Sequence, residues 1–236
     1  MITRTASTKK KDIATRNSLL AVPVFLFITA GSVLCQDRDA GLWTGFELEK
    51  GLNSWLDLRG SVEMRRNNNL ALTERYFGEF GVGADLGKFL EASINYRYNH
   101  RFVPEYNWIS LHRVYADLRV EYDWNYFTLS ERFRLTLDRN PEFLRDTYIE
   151  SKARARTQVQ YNIRKTPLRI RTAVELFAPL TGKEVLYAEE SRYILGVVCV
   201  INPSMSLEIS HYYERDRYRN KPQYNYIWVL RMKYTL

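Results

Sequence analysis

Phe89-Leu90-Glu91-Ala92-Ser93-Ile94-Asn95-Tyr96-Arg97-Tyr98-Asn99 alternates without a break. Leu90, Ala92, Ile94, Tyr96 and Tyr98 form one set, and Glu91, Ser93, Asn95, Arg97 and Asn99 the other. Successive side chains of an extended chain point to opposite faces, so this stretch is a strand with one apolar side and one charged side. A helix would need apolar residues at three- and four-residue spacing, which the stretch lacks.

The same period of two runs outward from there. Ser54 to Arg65 sets Leu56, Leu58, Val62 and Met64 against Asp57, Arg59, Ser61, Glu63 and Arg65. Thr73 to Leu86 sets Tyr76, Phe80, Val82 and Ala84 against Arg75, Glu79 and Asp85. Arg113 to Tyr122 opposes Val114, Ala116, Leu118 and Val120 to Arg113, Asp117, Arg119 and Glu121. Phe127 to Leu137 places Arg132 and Arg134 opposite Phe127, Leu129, Phe133 and Leu135, with Glu131 on the apolar side, which needs a bulge, an interface depth or a shifted register. Ile149 to Tyr161 carries Lys152, Arg154 and Arg156 on one side, and Leu168 to Phe177 carries Arg169, Arg171 and Glu175. Arg192 to Ile201 is apolar on both faces after Arg192, and Met205 to Glu214 and Tyr226 to Leu236 end the series.

With Leu42 to Lys50 these are eleven candidate strands in one domain, since no linker or change of composition divides the chain. Short turns near Gly51, Gly87, Asn125, Lys165 and Pro203 alternate with longer polar loops at 66–72, 100–111, 138–147, 178–190 and 215–224. That rhythm is the mark of an up-and-down antiparallel transmembrane β-barrel in an outer membrane, with tight turns on one rim and long loops on the other. Bacterial barrels ordinarily have an even strand count. The expectation is therefore about twelve strands, the missing one near Val185 to Tyr187, with ten as the alternative if Leu42 to Lys50 lies in the lumen or at the rim.

Composition separates the barrel from a soluble periplasmic β-sandwich binding protein. Tyr and Trp recur near strand ends (Tyr76, Tyr96, Tyr122, Trp124, Tyr126, Tyr161, Tyr226 and Tyr234), as interface girdles require. Beyond residue 35 there are 23 Arg but 7 Lys, and many of the Arg are mid-strand. Enclosed charges that must pair with carboxylates favour the planar, bidentate guanidinium.

Residues 1–35 read as a secretory signal peptide, leaving 36–236 as the barrel. Arg4, Lys9, Lys10, Lys11 and Arg16 precede an apolar run from Leu19 to Leu34. Cleavage is expected after Cys35, a residue also open to acylation, although Leu34 is a poor residue to precede a lipidated Cys. Half of the formal charge of +8 belongs to this segment. The expected destination is the outer membrane of a Gram-negative cell.

Several short motifs, in order, resemble the outer-membrane proteins grouped as domain-of-unknown-function family 2490 over roughly residues 42–236. They are Leu42-Trp43 with Glu47, Glu63-Met64-Arg65, Tyr96-Arg97-Tyr98, Glu131-Arg132-Phe133-Arg134, Glu175-Leu176-Phe177, and Arg192 followed by Gly196. The resemblance implies an outer-membrane barrel and no established activity.

Chemistry is sparse. His100, His112 and His211 show no metal spacing, and there is no phosphate loop, no CxxC and no zinc motif, so neither cofactor nor metal is expected. Ser210 and His211 are adjacent and face opposite sides, whereas Ser110 and His112 share a face but lack an acid partner. A barrel-embedded lipid hydrolase is the alternative these residues leave, and the expectation is a non-enzyme. Nucleic acid is not expected as a partner, because the basic residues alternate within strands rather than forming one patch. The expected partners are outer-membrane lipid, the insertion machinery that reads the amphipathic last strand, and a small anionic solute.

What remains is the charged face: Arg59, Glu63, Arg65, Glu79, Arg97, Arg113, Asp117, Arg119, Arg132, Arg134, Arg154, Arg156, Arg171, Glu175 and Arg192. In a narrow barrel these residues project into the lumen. They form either an interlocked Arg–carboxylate network or a basic passage for small anions. Arg132, Arg134, Arg154 and Arg156 have no acid inward nearby on their own strands, which makes them the leading anion-site candidates.

Overall fold

The computed structural model describes residues 38–104, 107–139, 149–181, 188–216 and 223–236. Eleven strands form among them: β1 (Arg38–Gly51), β2 (Leu56–Asn67), β3 (Leu72–Asp85), β4 (Leu90–Val103), β5 (Asn107–Trp124), β6 (Phe127–Arg139), β7 (Ile149–Asn162), β8 (Leu168–Pro179), β9 (Glu190–Asn202), β10 (Met205–Asp216) and β11 (Gln223–Thr235). Each pairs antiparallel with its neighbour in sequence, and β1 meets β11 to close the barrel.

The closing seam is parallel, running from Arg38↔Tyr224 to Glu49↔Thr235. An up-and-down chain with an odd number of strands has its first and last strands pointing the same way, so closure demands this pairing. The stretch from Leu42 to Lys50, for which a lumen or rim position was the alternative, is therefore part of a wall strand bonded on both sides. The parallel seam also lets eleven strands close where an even count was expected. Residues 185–187, the place of the expected twelfth strand, lie outside the described residues.

Two expected loops are mostly strand. Residues 100–103 and 107–111 belong to the distal parts of β4 and β5, paired as far as Val103↔Asn107. Residues 66–72 shrink to the turn 68–71. There Asn68, Asn69 and Leu70 take φ of 53°, 53° and 68°, and Asp39 accepts the Asn68 and Asn69 amides at 3.1 and 2.9 Å. Asn tolerates this left-handed backbone better than other residues with a Cβ. Polar side chains near a rim do not break a strand, because both of its faces there are wet.

The alternation read from sequence sorts the side chains cleanly. The row Phe46, Val62, Gly78, Tyr98 runs across β1 to β4 on the outside, and Ile94, 67% exposed, and Leu195, 62% exposed, continue the apolar exterior. Glu131 keeps its register, opposite Val120 and Thr157 with no bulge in β6, and so stands on the outer wall. Two register shifts do occur, between Arg65 and Arg66 and between Met205 and Ser206.

The inside is not uniformly polar. Trp43, Ala173, Ile194, Tyr212, Ile227 and Val229 form a buried cluster where β8 to β11 meet β1, with Trp43 and Tyr212 edge to face at 5.6 Å. The sequence marks this region only by β9 being apolar on both faces.

Candidate functional site

Of the fifteen charged residues named from the sequence, fourteen line two cavities enclosed by the sheet, and Arg171 pairs with Glu208. Side chains two apart on a strand share a face, so each strand delivers a column of charges, and the register between strands sets which columns meet. Arg132 lies opposite Arg156, and Arg134 opposite Arg154, giving a block of four guanidinium groups on β6 and β7. Like charges directly opposite repel, so the block needs carboxylates from elsewhere.

It receives some. Arg134 makes two bonds of 2.6 Å to Asp117 on β5. Arg132 reaches Glu175 on β8 at 2.7 Å. Two of the four leading anion-site candidates are thus already neutralised. The acids come from other strands, because inside a narrow barrel a side chain reaches neighbours one and two strands away.

Glu175, 2% exposed, is the hub of this half of the lumen. It also binds Arg192 at 2.9 Å, and Arg192 extends to Glu190 and Glu214 at 3.2 and 2.5 Å. A second hub is Arg231, which holds Glu63 at 2.8 Å and Glu47 at 3.1 Å, while Glu63 holds Arg65 at 2.7 Å. Arg171 pairs with Glu208. Arg97 binds Glu79 at 2.6 Å, and Arg113 grips Asp138 with bonds of 2.5 and 2.7 Å. Toward the rim of the short turns, Arg59 bridges Asp57 and Glu91 at 2.6 and 2.5 Å, and Arg119 stands 3.7 Å from Glu91.

Sequence reasoning placed Asp57 and Glu91 on the charged faces but left them, with Glu47, Asp138, Glu190, Glu208, Glu214 and Arg231, out of the candidate set. Most lie near strand ends, where the alternating pattern is short, yet their parity within each strand was the available signal. Aromatic faces take up further cationic charge. The Arg65 guanidinium lies 3.6 Å from the Trp43 ring centroid, Arg134 3.8 Å from Tyr115, and Arg97 4.0 Å from Phe77. Such contacts strengthen as water is excluded.

Arg154 and Arg156 stand apart. Among the described residues neither has a carboxylate oxygen within 4.0 Å. Arg156 donates to Gln158 at 3.0 Å, Arg154 lies 4.6 Å from the Phe177 ring, and the Nε of each is buried without a hydrogen-bond partner. Both line a cavity of about 720 Å³ that reaches from the mid-lumen toward the rim of the long loops. A second cavity of about 260 Å³ lies toward the short turns. Glu47, Ser61, Glu79, Tyr115, Arg132 and Arg134 line both, so they form the waist between the two.

The three histidines face outward. His112 Nδ1 is 2.6 Å from the Tyr96 hydroxyl, and Ser110 Oγ is 2.8 Å from that of Tyr98, so this Ser and His each bond a tyrosine. Ser210 faces inward and donates to Glu208 at 2.5 Å, while His211 packs on Trp228 outside. Among the described residues no three His, Cys, Asp or Glu side chains converge as metal ligands would.

A solved structure of the NanC porin, in a rhombohedral crystal form, is similar at 12% identity with a TM-score of 0.46, over 73% of this chain and 86% of the porin. No curated protein matches the sequence. The sequence profile of the family described as protein of unknown function (DUF2490) matches residues 40–225, and the chain belongs to that family.

Proposed function

We propose that the protein is an outer-membrane β-barrel of a Gram-negative cell, exported on residues 1–35, whose lumen binds or passes small anionic solutes. Arg154 and Arg156 carry the second half of this reading. An enclosed cation without a counter-charge is costly, and a site that must hold two of them side by side is complete only when an anion joins them. Glu175 supplies the pattern, since one carboxylate there bridges Arg132 and Arg192. A solute carboxylate or phosphate entering the larger cavity bridges Arg154 and Arg156 in the same way.

The membrane half rests on the inverted distribution of side chains. Charges fill the inside, apolar groups cover the outside, and Phe89, Tyr122, Trp124, Phe127 and Tyr161 gather near the rim of the short turns, as an aromatic girdle does. The last strand offers Tyr226, Trp228, Leu230, Met232 and Tyr234 outward, the amphipathic strip that insertion machinery reads. Cell fractionation with heat-modifiable gel mobility tests this half, and recovery as a soluble periplasmic protein overturns it.

Equilibrium dialysis of the refolded barrel against labelled acetate and inorganic phosphate tests the lumen. Saturable binding is expected, weakened by about tenfold or more in the Arg154→Ala/Arg156→Ala double variant, the equivalent of losing charged hydrogen bonds. In planar bilayers the same variant should lose anion preference in its reversal potential. No binding and no conductance in the unaltered barrel would leave the network a purely structural role.

Glu131 offers an independent check on the membrane. It lies four residues, or roughly 13 Å of strand, from Phe127 at the rim, which places it within the apolar band. Replacing it by Leu should raise stability by about 1 kcal/mol in lipid vesicles, because a carboxylate on the lipid face is unfavourable. Urea titration followed by Trp fluorescence measures the difference.

A further inference from the structure

The outer wall is not evenly filled. A cleft of about 610 Å³ opens over β1 to β4, with two rungs of the sheet as its floor and sides. One rung is Phe46, Val62, Gly78 and Tyr98, and the next toward the long loops is Thr44, Met64, Tyr76 and His100. Gly78 makes the cleft, since a Cβ built there meets no atom within 4 Å, whereas its cross-strand neighbours Val62 and Tyr98 stand up on either side. The surface is almost wholly apolar up to its rim end. There the polar groups begin: His100 stacks flat on Trp108 at 5.0 Å, and Arg66 follows Met64 by two residues on the same face. Among the described residues Arg66 has no carboxylate within 4.0 Å, and its Nε is buried without a hydrogen-bond partner. The outer wall next to it adds His112 and Arg139, which are directly opposite each other on β5 and β6.

We infer that this cleft is a binding site for one membrane lipid with a phosphate headgroup. An acyl chain lies over Gly78 between Val62 and Tyr98, and the phosphate sits at Arg66 with His100 beside it. The inference rests on the membrane reading above and is independent of the lumen. An apolar groove alone would take any chain, but a cation lacking a counter-charge, one rung beyond its polar end, selects an anionic head. Guanidinium groups bind phosphate in a bidentate, charge-assisted manner.

The test uses the whole barrel, delipidated in detergent and offered phosphatidylglycerol, diacylglycerol with the same chains, or inorganic phosphate, with native mass spectrometry counting what is retained. One phosphatidylglycerol per barrel should survive activation that strips the rest. Diacylglycerol and inorganic phosphate should each be held about tenfold less well, since each lacks one half of the contact. Gly78→Leu fills the cleft from outside without touching the lumen and should abolish stoichiometric retention. Arg66→Gln should weaken it by about tenfold through loss of the charge. Retention unchanged in Gly78→Leu, or equal retention of diacylglycerol, overturns the site. Heat-modifiable mobility and vesicle insertion are recorded for every variant. A barrel that inserts but retains no lipid defeats the cleft alone, and one that never enters a bilayer defeats the membrane reading and the cleft together.

Discussion

Replacing Glu175 by Ala is expected to lower the unfolding free energy by about 3–5 kcal/mol, the usual cost of stranding buried charge by removing one partner. Glu175 joins Arg132 to Arg192, and its Cα partner on β7 is Arg156. Without it Arg132 joins Arg154 and Arg156 as a cation with no carboxylate, and Asp117 on Arg134 is the one counter-charge left to the β6–β7 block among the described residues. Glu175→Gln keeps the shape and one acceptor oxygen, so its cost should fall between that of Ala and zero. Lys152 with Glu150 at the rim provides the contrast. Their separation is 3.0 Å, but the side chains are 30% and 41% exposed, and Glu150→Ala should cost less than about 1 kcal/mol. Urea unfolding of the refolded barrel measures all three. A Glu175→Ala barrel as stable as the Glu150→Ala barrel would mean that the lumen is wetter than a closed ion-pair network allows.

Trp43→Ala should be comparably damaging, at about 3–5 kcal/mol for deletion of a large buried aromatic. The ring is 5% exposed and stands on β1, where the parallel seam closes the barrel. It meets Tyr212 edge to face, lies 3.6 Å from the Arg65 guanidinium and 5.3 Å from that of Arg192, and belongs to the apolar cluster with Ile227 and Val229 of β11. Its removal leaves a cavity at the one junction that no hairpin turn holds together. Trp43→Phe keeps most of the volume and should cost roughly half as much or less. Refolding yields and urea midpoints together read the effect. A Trp43→Ala barrel of normal stability would show that backbone pairing alone secures the seam.

The wall of the barrel was readable in the chain because a strand's side chains alternate strictly, and burial here acts on alternate residues. Leu90 to Tyr98 already separates the outer from the inner set, and the fifteen inward charges follow from the same parity. The seam was harder to read. Whether Leu42 to Lys50 belonged to the wall depended on meeting β11, and no local pattern carries that information. Two of the expected loops, 66–72 and 100–111, are largely strand, because polarity there does not mean absence of structure and a strand's end near water needs no apolar face.

Pairing inside the lumen lay furthest from the sequence. Arg132 and Glu175 are 43 residues apart, Glu63 and Arg231 are 168 apart, and Lys233 and Glu49 are 184 apart. Closure brings them together, since curving the sheet turns distant strands toward a common axis. Arg154 and Arg156 look no different from Arg132 and Arg134 along the chain. Their lack of a carboxylate is a property of register and reach, set when β8 gives Glu175 to Arg132 and β5 gives Asp117 to Arg134. Periodicity in the chain was enough for strands with one charged face and one apolar face, because it depends on neighbours two residues apart. Which charges are neutralised, and where a cleft opens in the outer wall, depended on contacts across the barrel and between strands, which exist only after the ring has closed.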